Sequence, residues 1–253
     1  LAHQTQTNSL PYQEEKRNLS VAHLRLSEVA AIFFDFGETL ATLAPAKEQL
    51  FIRAAQSIGL QLELEAVRRA YQIVDFHNKY SSVEVTDRSA FYQHYNEQLS
   101  EALGVSSHFA ELAPALAEQF SHAKKWELFA EVPEVLNHLQ QAGLRLGLVA
   151  NWDRDLPELV ERLQISQFFS TIVSSQEAGV EKPDAEIFKR ALVNLSLVVE
   201  NATILYVGNE YRADVMGARG AGLVPVLIDR NGLYPHADCL RFASLREWQE
   251  AQT

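Results

Sequence analysis

Four consecutive apolar residues, Ala31-Ile32-Phe33-Phe34, run straight into an acid, Asp35, and then into Phe36-Gly37-Glu38-Thr39-Leu40. An apolar run of this length, stopped by an acid and a glycine, reads as a buried strand ending at the rim of a sheet. In open α/β sheets the carboxyl ends of the strands face the ligand. A carboxylate there can serve as nucleophile or metal ligand, and Gly37 lets the backbone approach a bound group closely. The same segment also suits a strand followed by an ordinary acidic turn, so the rest of the chain has to decide.

Three later stretches repeat the pattern of an apolar run followed by polar residues. Leu144 to Ala150 leads into Asn151-Trp152-Asp153, and Thr203 to Val207 leads into Gly208-Asn209-Glu210-Tyr211-Arg212-Ala213-Asp214. Between them lies Gly179-Val180-Glu181-Lys182-Pro183-Asp184. In this order the segments resemble the haloacid dehalogenase-like hydrolase superfamily, with its DxDxT motif, a Ser or Thr at the second strand end, a Lys before Pro, and GDxxxxD. The resemblance spans about Ile32 to Asp229. Its most specific parts are AGVEKPDAEIFKRAL and GNEYRADVMGARGAGL. It implies a Rossmann-like parallel α/β sheet with an inserted helical cap.

The chain divides accordingly. Residues 1–27 are an N-terminal extension, 28–45 and 126–253 the α/β core, and 46–125 a four-helix cap. Within 46–125 the apolar spacing predicts helices around Leu50–Ile58, Leu64–Phe76, Phe91–Leu103 and Phe109–Phe120, with Gly59 and Gly104 as stops. Such a cap would cover the strand ends and exclude water. After it, strands are expected over Leu144–Ala150, Phe168–Ser174, Ile204–Val207 and Leu223–Asp229. Helices are expected over Pro133–Gln141, Leu156–Leu163, Asp184–Asn194 and Asp214–Ala221. Strands alternating with helices imply a parallel sheet covered on both faces.

Charge and composition exclude several partners. The chain carries 22 Lys plus Arg against 33 Asp plus Glu, a net charge of −11. With no basic run, it is a poor candidate for nucleic acid or an anionic membrane. No apolar run approaches a membrane span of about 18 residues. The single cysteine, Cys239, excludes an internal disulfide framework and fits a reducing compartment. A cytoplasmic location is the expectation, and the oligomeric state is left open. His94, His108 and His122 lack metal-ligand spacing.

The resemblance also assigns roles. Asp35 would be the nucleophile, attacking the substrate to form an aspartyl intermediate. Thr39 and Lys182 match the family's Thr and Lys, and Lys182 would neutralise a small anionic substrate beside the nucleophile. Asn151 would add an amide hydrogen bond to that substrate. In the cap, Arg69 is the cation assigned to an anionic group, although exposed Arg is more often simply solvated. A metal set would comprise Asp35, the Gly37 carbonyl, Asn209 and Asp214.

Three positions depart from the family pattern. Gly37 stands where a second acid would protonate the leaving group and activate water. Ala150 stands where a hydroxyl would donate to the transferred group. Asn209 stands where a carboxylate would bind Mg²⁺, an ion that prefers hard anionic oxygens. Mg²⁺ binding is therefore expected to be weakened, and Glu38, next to Gly37, points the wrong way to replace the acid. The leading reading is a small-molecule hydrolase using Asp35 as nucleophile with an impaired Mg-phosphatase site. One alternative is a catalytically silenced fold kept as a binding or regulatory protein. The other is a weak Mg²⁺-dependent phosphatase of a phosphorylated metabolite. The metal-independent dehalogenating branch, which resembles this chain at Gly37 and Asn209, keeps carbon-centred displacement open.

Overall fold

A computed structural model describes residues 26–78, 88–122, 126–199 and 202–252. Nearly all of the N-terminal extension, and residues 79–87 and 123–125 of the expected cap, lie outside the described residues.

The first strand, β1 (Val29–Phe34), follows a short 3-10 turn at Leu26–Glu28. β2 (Ala41–Leu43) leaves the core. Four helices follow: α1 (Lys47–Ser57), α2 (Leu64–Asn78), α3 (Arg88–Ala102) and α4 (Phe109–His122). β3 (Trp126–Leu128) then returns the chain, pairing antiparallel with β2 so that Leu43 lies opposite Trp126. The remaining core elements are α5 (Val132–Gln141), β4 (Arg145–Ala150), α6 (Leu156–Arg162), β5 (Phe169–Ser174), α7 (Ser175–Ala178) and α8 (Ala185–Asn194). After them come β6 (Thr203–Gly208), a π-helical turn at Tyr211–Met216, α9 (Gly217–Gly220), β7 (Val224–Ile228), β8 (Leu240–Phe242) and α10 (Leu245–Glu250).

The described residues form a six-stranded sheet in the order β5-β4-β1-β6-β7-β8, with every pairing parallel. Strands buried on both faces explain the unbroken apolar runs in the sequence. Period-two alternation sorts their side chains. Ile32, Phe34, Leu146, Leu148, Leu205 and Val207 join one cluster with α5, α6 and α10. Ala31, Phe33, Val149, Ile204 and Tyr206 join another with α8 and α9 on the opposite face. The result is a three-layer α/β core.

The four helices hold a separate cluster that includes Phe51, Val67, Tyr71, Leu99 and Leu112. Apolar spacing alone located each of them to within a few residues. Two sheet elements go beyond the sequence reading. β8 and the β2–β3 ribbon are only three residues per strand, too short for a periodic signal. The stretch read as one helix from Asp214 instead begins as a π-helical turn at Tyr211. Its wide turn lets the Glu210 N–H reach the Asp214 carboxylate (2.8 Å).

Candidate functional site

The sheet is built outward in both directions from its centre. From β1 the chain runs to β4 and β5 on one side, and from β6 to β7 and β8 on the other. The β1/β6 junction is therefore the topological switch point, where a crevice opens at the carboxyl ends of the strands. Asp35 follows β1 directly and its N–H bonds Val207 O at 2.8 Å, while Asn209 follows β6.

Lys182 reaches this junction from the turn before α8 and is 4% exposed. Its ammonium donates to Asp35 Oδ1 (2.6 Å), Asp214 Oδ1 (2.7 Å) and the Tyr206 hydroxyl (2.8 Å). Three donors meet three acceptors, so the ammonium is fully satisfied. Burial works against its charge, but Asp214 and then Asp35 outweigh burial and hold its pKa well above the usual lysine value. The Tyr206 hydroxyl in turn donates a hydrogen bond to Val149 O (2.7 Å), and burial first of all pushes its phenol up.

Asp35 is 8% exposed. Burial, opposed by Lys182 and reinforced by Asp214, raises its carboxyl from 3.8 to about 6. Thr39 Oγ1 donates to Asp35 Oδ2 at 3.3 Å. The Asn209 amide, with its nitrogen facing inward, donates toward Gly37 O (3.0 Å), Thr39 Oγ1 (3.1 Å) and Asp35 Oδ2 (3.2 Å). In the reverse orientation its oxygen would face the Gly37 and Asp35 oxygens and accept only from Thr39 Oγ1 (3.1 Å), so hydrogen-bond matching assigns the nitrogen inward.

Gly208 makes the junction possible. A Cβ there would lie 2.3 Å from the Asp214 carboxyl carbon, so only glycine lets that carboxylate pack against the end of β6. At Gly37 a Cβ would meet Trp152 at 3.6 Å and Trp126 at 3.7 Å, ordinary contact distances. These indoles form an aromatic wall with Phe36. Ring centroids lie 4.8 Å apart for Trp126 and Trp152, and 5.0 Å apart for Phe36 and Trp152.

Asp35, Gly37, Thr39, Lys182, Asn209 and Asp214 are thus brought together. The Asn151 amide clamps the backbone of the lysine: its Oδ1 accepts from Lys182 N (2.7 Å) and its Nδ2 donates to Lys182 O (3.0 Å). Arg69 is exposed on α2, on a different side of that helix from buried Val67, Ala70, Tyr71 and Val74. Glu38 adopts φ of 58° and accepts from Thr42 Oγ1 at 2.9 Å, turned into the β2 ribbon. Ala150 is buried at the end of β4.

Several participants escaped the sequence reading. Arg230 stacks 3.5 Å over Phe129, pairs with Glu131 at 2.8 Å and donates to Thr39 O at 3.0 Å, fixing the loop after β1 from outside. Lys47 pairs with Asp75 at 3.1 Å, and the Tyr95 hydroxyl also bonds Asp75. Glu210 is exposed, one residue beyond Asn209 at the end of β6. Desolvation there, then Asp214 and Asp35, push its carboxyl up to about 7, and Asp75 of α2 adds to the push. Tyr206 left one usable signal, because a phenol inside a buried apolar strand needs a polar partner.

A parallel α/β sheet with a carboxylate–lysine–carboxylate group at its switch point defines a Rossmann-like protein with a strand-end polar centre. Residues 32–228 match the family described as haloacid dehalogenase-like hydrolase, and the chain belongs to that family. It is 27% identical over 215 residues to haloacid dehalogenase-like hydrolase domain-containing protein 3 of Danio rerio, covering 82% of this chain and 88% of that protein. It is 28% identical over 211 residues to a glyceraldehyde 3-phosphate phosphatase of Methanothermobacter thermautotrophicus, covering 79% and 85% of the two chains. The crystal structure of a 2-haloacid dehalogenase from Pseudomonas syringae superposes with a TM-score of 0.53 at 22% identity, over 88% of this chain and 97% of that one. Relatives of differing activity share the fold, so the fold does not choose the reaction.

Proposed function

We infer that this chain is a hydrolase of a small anionic substrate with Asp35 as its nucleophile. The observation that carries this reading is the 2.6 Å contact between Lys182 Nζ and Asp35 Oδ1 at the end of the central strand. A buried cation on one carboxylate oxygen orients the other and would offset the charge of an incoming anion. In the reaction, an Asp35 oxygen forms a bond to the substrate as the bond to the leaving group breaks. Water then cleaves the aspartyl phosphate (for a 2-haloacid, the aspartyl ester), releasing phosphate or the hydroxy acid and restoring the carboxylate. The phosphatase among the relatives supports a phosphate ester as the first substrate class to test. The four helices over 46–125 would act as the cap, with Lys47, Asp75 and Tyr95 supplying its polar surface.

For Mg²⁺ the residues, as arranged, do not fit. Both Asp214 oxygens are engaged, by Lys182 and by the Glu210 N–H, and Asn209 presents nitrogen rather than oxygen. Of the four expected ligands, Asp35 Oδ2 alone remains as an anionic oxygen, fewer than such an ion favours without a phosphate already bound. No step is therefore routed through a metal.

The test is turnover on a panel of phosphate esters and 2-haloacids, with and without Mg²⁺, in wild type and Asp35→Asn. The expected result is hydrolysis that falls by roughly a thousandfold or more in Asp35→Asn, with mass spectrometry trapping the modified Asp35 peptide. Equal activity in both proteins sinks the reading. A second reading, a silenced binding module, is favoured by the complete internal satisfaction of Lys182. It predicts no turnover in either protein but retained binding of a small anion.

A further inference from the structure

Asn209 carries an arrangement that the hydrolase reading does not use. Three acceptors, Asp35 Oδ2, the Gly37 carbonyl and Thr39 Oγ1, converge on one point between the ends of β1 and β6. The Asn209 amide nitrogen sits at that point, 3.2, 3.0 and 3.1 Å from them. One anionic and two neutral oxygens facing a common centre are the kind of ligands that gather round a hard cation. Here the centre is filled by the chain's own N–H₂ group.

We propose that the Asn209 side chain is an internal stand-in for a divalent cation, holding Asp35 and the Gly37 backbone in position with no metal bound. Its amide hydrogens carry partial positive charge and point at the acceptors, so it supplies direction where an ion would supply charge. Two features set the balance. A cation entering this point would have to turn the amide by half a turn and break all three contacts at once. Lys182 also already lies between Asp35 and Asp214, at 2.6 and 2.7 Å. An incoming ion would therefore find both carboxylates already paired with one ammonium, which would also repel it. A carboxylate at position 209 reverses both features. It has no donor to offer Asp35, and it repels that carboxylate until a cation arrives.

Asn209 is thus a positioning residue, acting through Asp35 and Gly37. The proposal concerns stability and ion binding, so it stands or falls separately from any result on turnover. The experiment is thermal unfolding and calorimetric titration of the full chain with MgCl₂ after EDTA treatment. Wild type should change its Tm by less than about 1 °C between EDTA and about 10 mM Mg²⁺, with no saturable heat. Asn209→Asp should lose about 5 °C or more in EDTA and regain at least half of that loss with Mg²⁺. Asn209→Ala should lose stability in EDTA and recover none with the ion. Saturable Mg²⁺ binding by wild type, with a Tm rise of about 5 °C or more, overturns the proposal. So does an Asn209→Ala or Asn209→Asp protein as stable in EDTA as wild type. If Asn209→Asp does not fold, the wild-type titration and Asn209→Ala decide the question.

Discussion

The two sides of the strand-end centre are built on different physics. On the Lys182 side, a full positive charge meets two carboxylates and a phenol under complete burial. On the Asn209 side, a neutral amide meets one carboxylate oxygen, a carbonyl and a hydroxyl at the edge of the cleft. The first side is rigid because removing any member strands a buried charge. The second is held only by hydrogen bonds of ordinary length, each of modest net strength. Substitution should therefore cost more on the first side than on the second, where the losses are real but smaller.

The largest effect should come from Lys182→Met, which leaves Asp35 and Asp214 facing each other without a cation. Loss of one partner from such a buried group costs about 3–5 kcal/mol, readable as a shift in the denaturation midpoint. Gly208→Ala comes next, since its Cβ would overlap the Asp214 carboxyl at 2.3 Å. Overpacking of this kind costs about 1–3 kcal/mol, and chemical unfolding would show it. A cost below about 0.5 kcal/mol in either variant would break the comparison.

The pH response should be gentler and has a defined sign. The Asp35 carboxyl is raised from 3.8 to about 6, so folding favours its protonated form. The stability it contributes is present below about pH 4 and is lost as pH rises through about 6. Turnover, which needs the ionised nucleophile, should rise with pH over the same range. Lys182 lowers the Asp35 value, so a pH–rate limb near 6 should move upward when the lysine is replaced. The smallest effect is expected for Gly37→Ala, whose Cβ finds only ordinary contacts with the two indoles. Its stability should stay within about 0.5 kcal/mol of wild type.

Much of the fold was legible in the sequence because burial on both sheet faces writes itself as apolar runs, and helix stripes as 3.6-residue spacing. Asp35, Thr39, Lys182 and Asp214 were legible because each ends or flanks such a run. Their partners were harder to read. Tyr206 hides inside an apolar strand, and Arg230 acts on Thr39 from far along the chain. Trp126 lies on a three-residue strand with no period of its own. Asn151 and Asn209 were legible as strand-end residues, but their amides turn according to neighbours that only the assembled junction supplies.

The aromatic wall beside Gly37 has an optical consequence. The chain has three tryptophans, and two of them, Trp126 and Trp152, stand with ring centroids 4.8 Å apart. Indoles this close couple their electronic transitions. Trp126 also sits on β3, the strand by which the four helices rejoin the sheet. A shift of those helices would change the angle between the two rings and hence the near-ultraviolet circular dichroism. The third, Trp248, is sealed in the core at 1% exposure and would serve as a fixed reference. The molecule therefore carries its own spectroscopic gauge of how its helical segment meets the β2–β3 ribbon, readable without any added label.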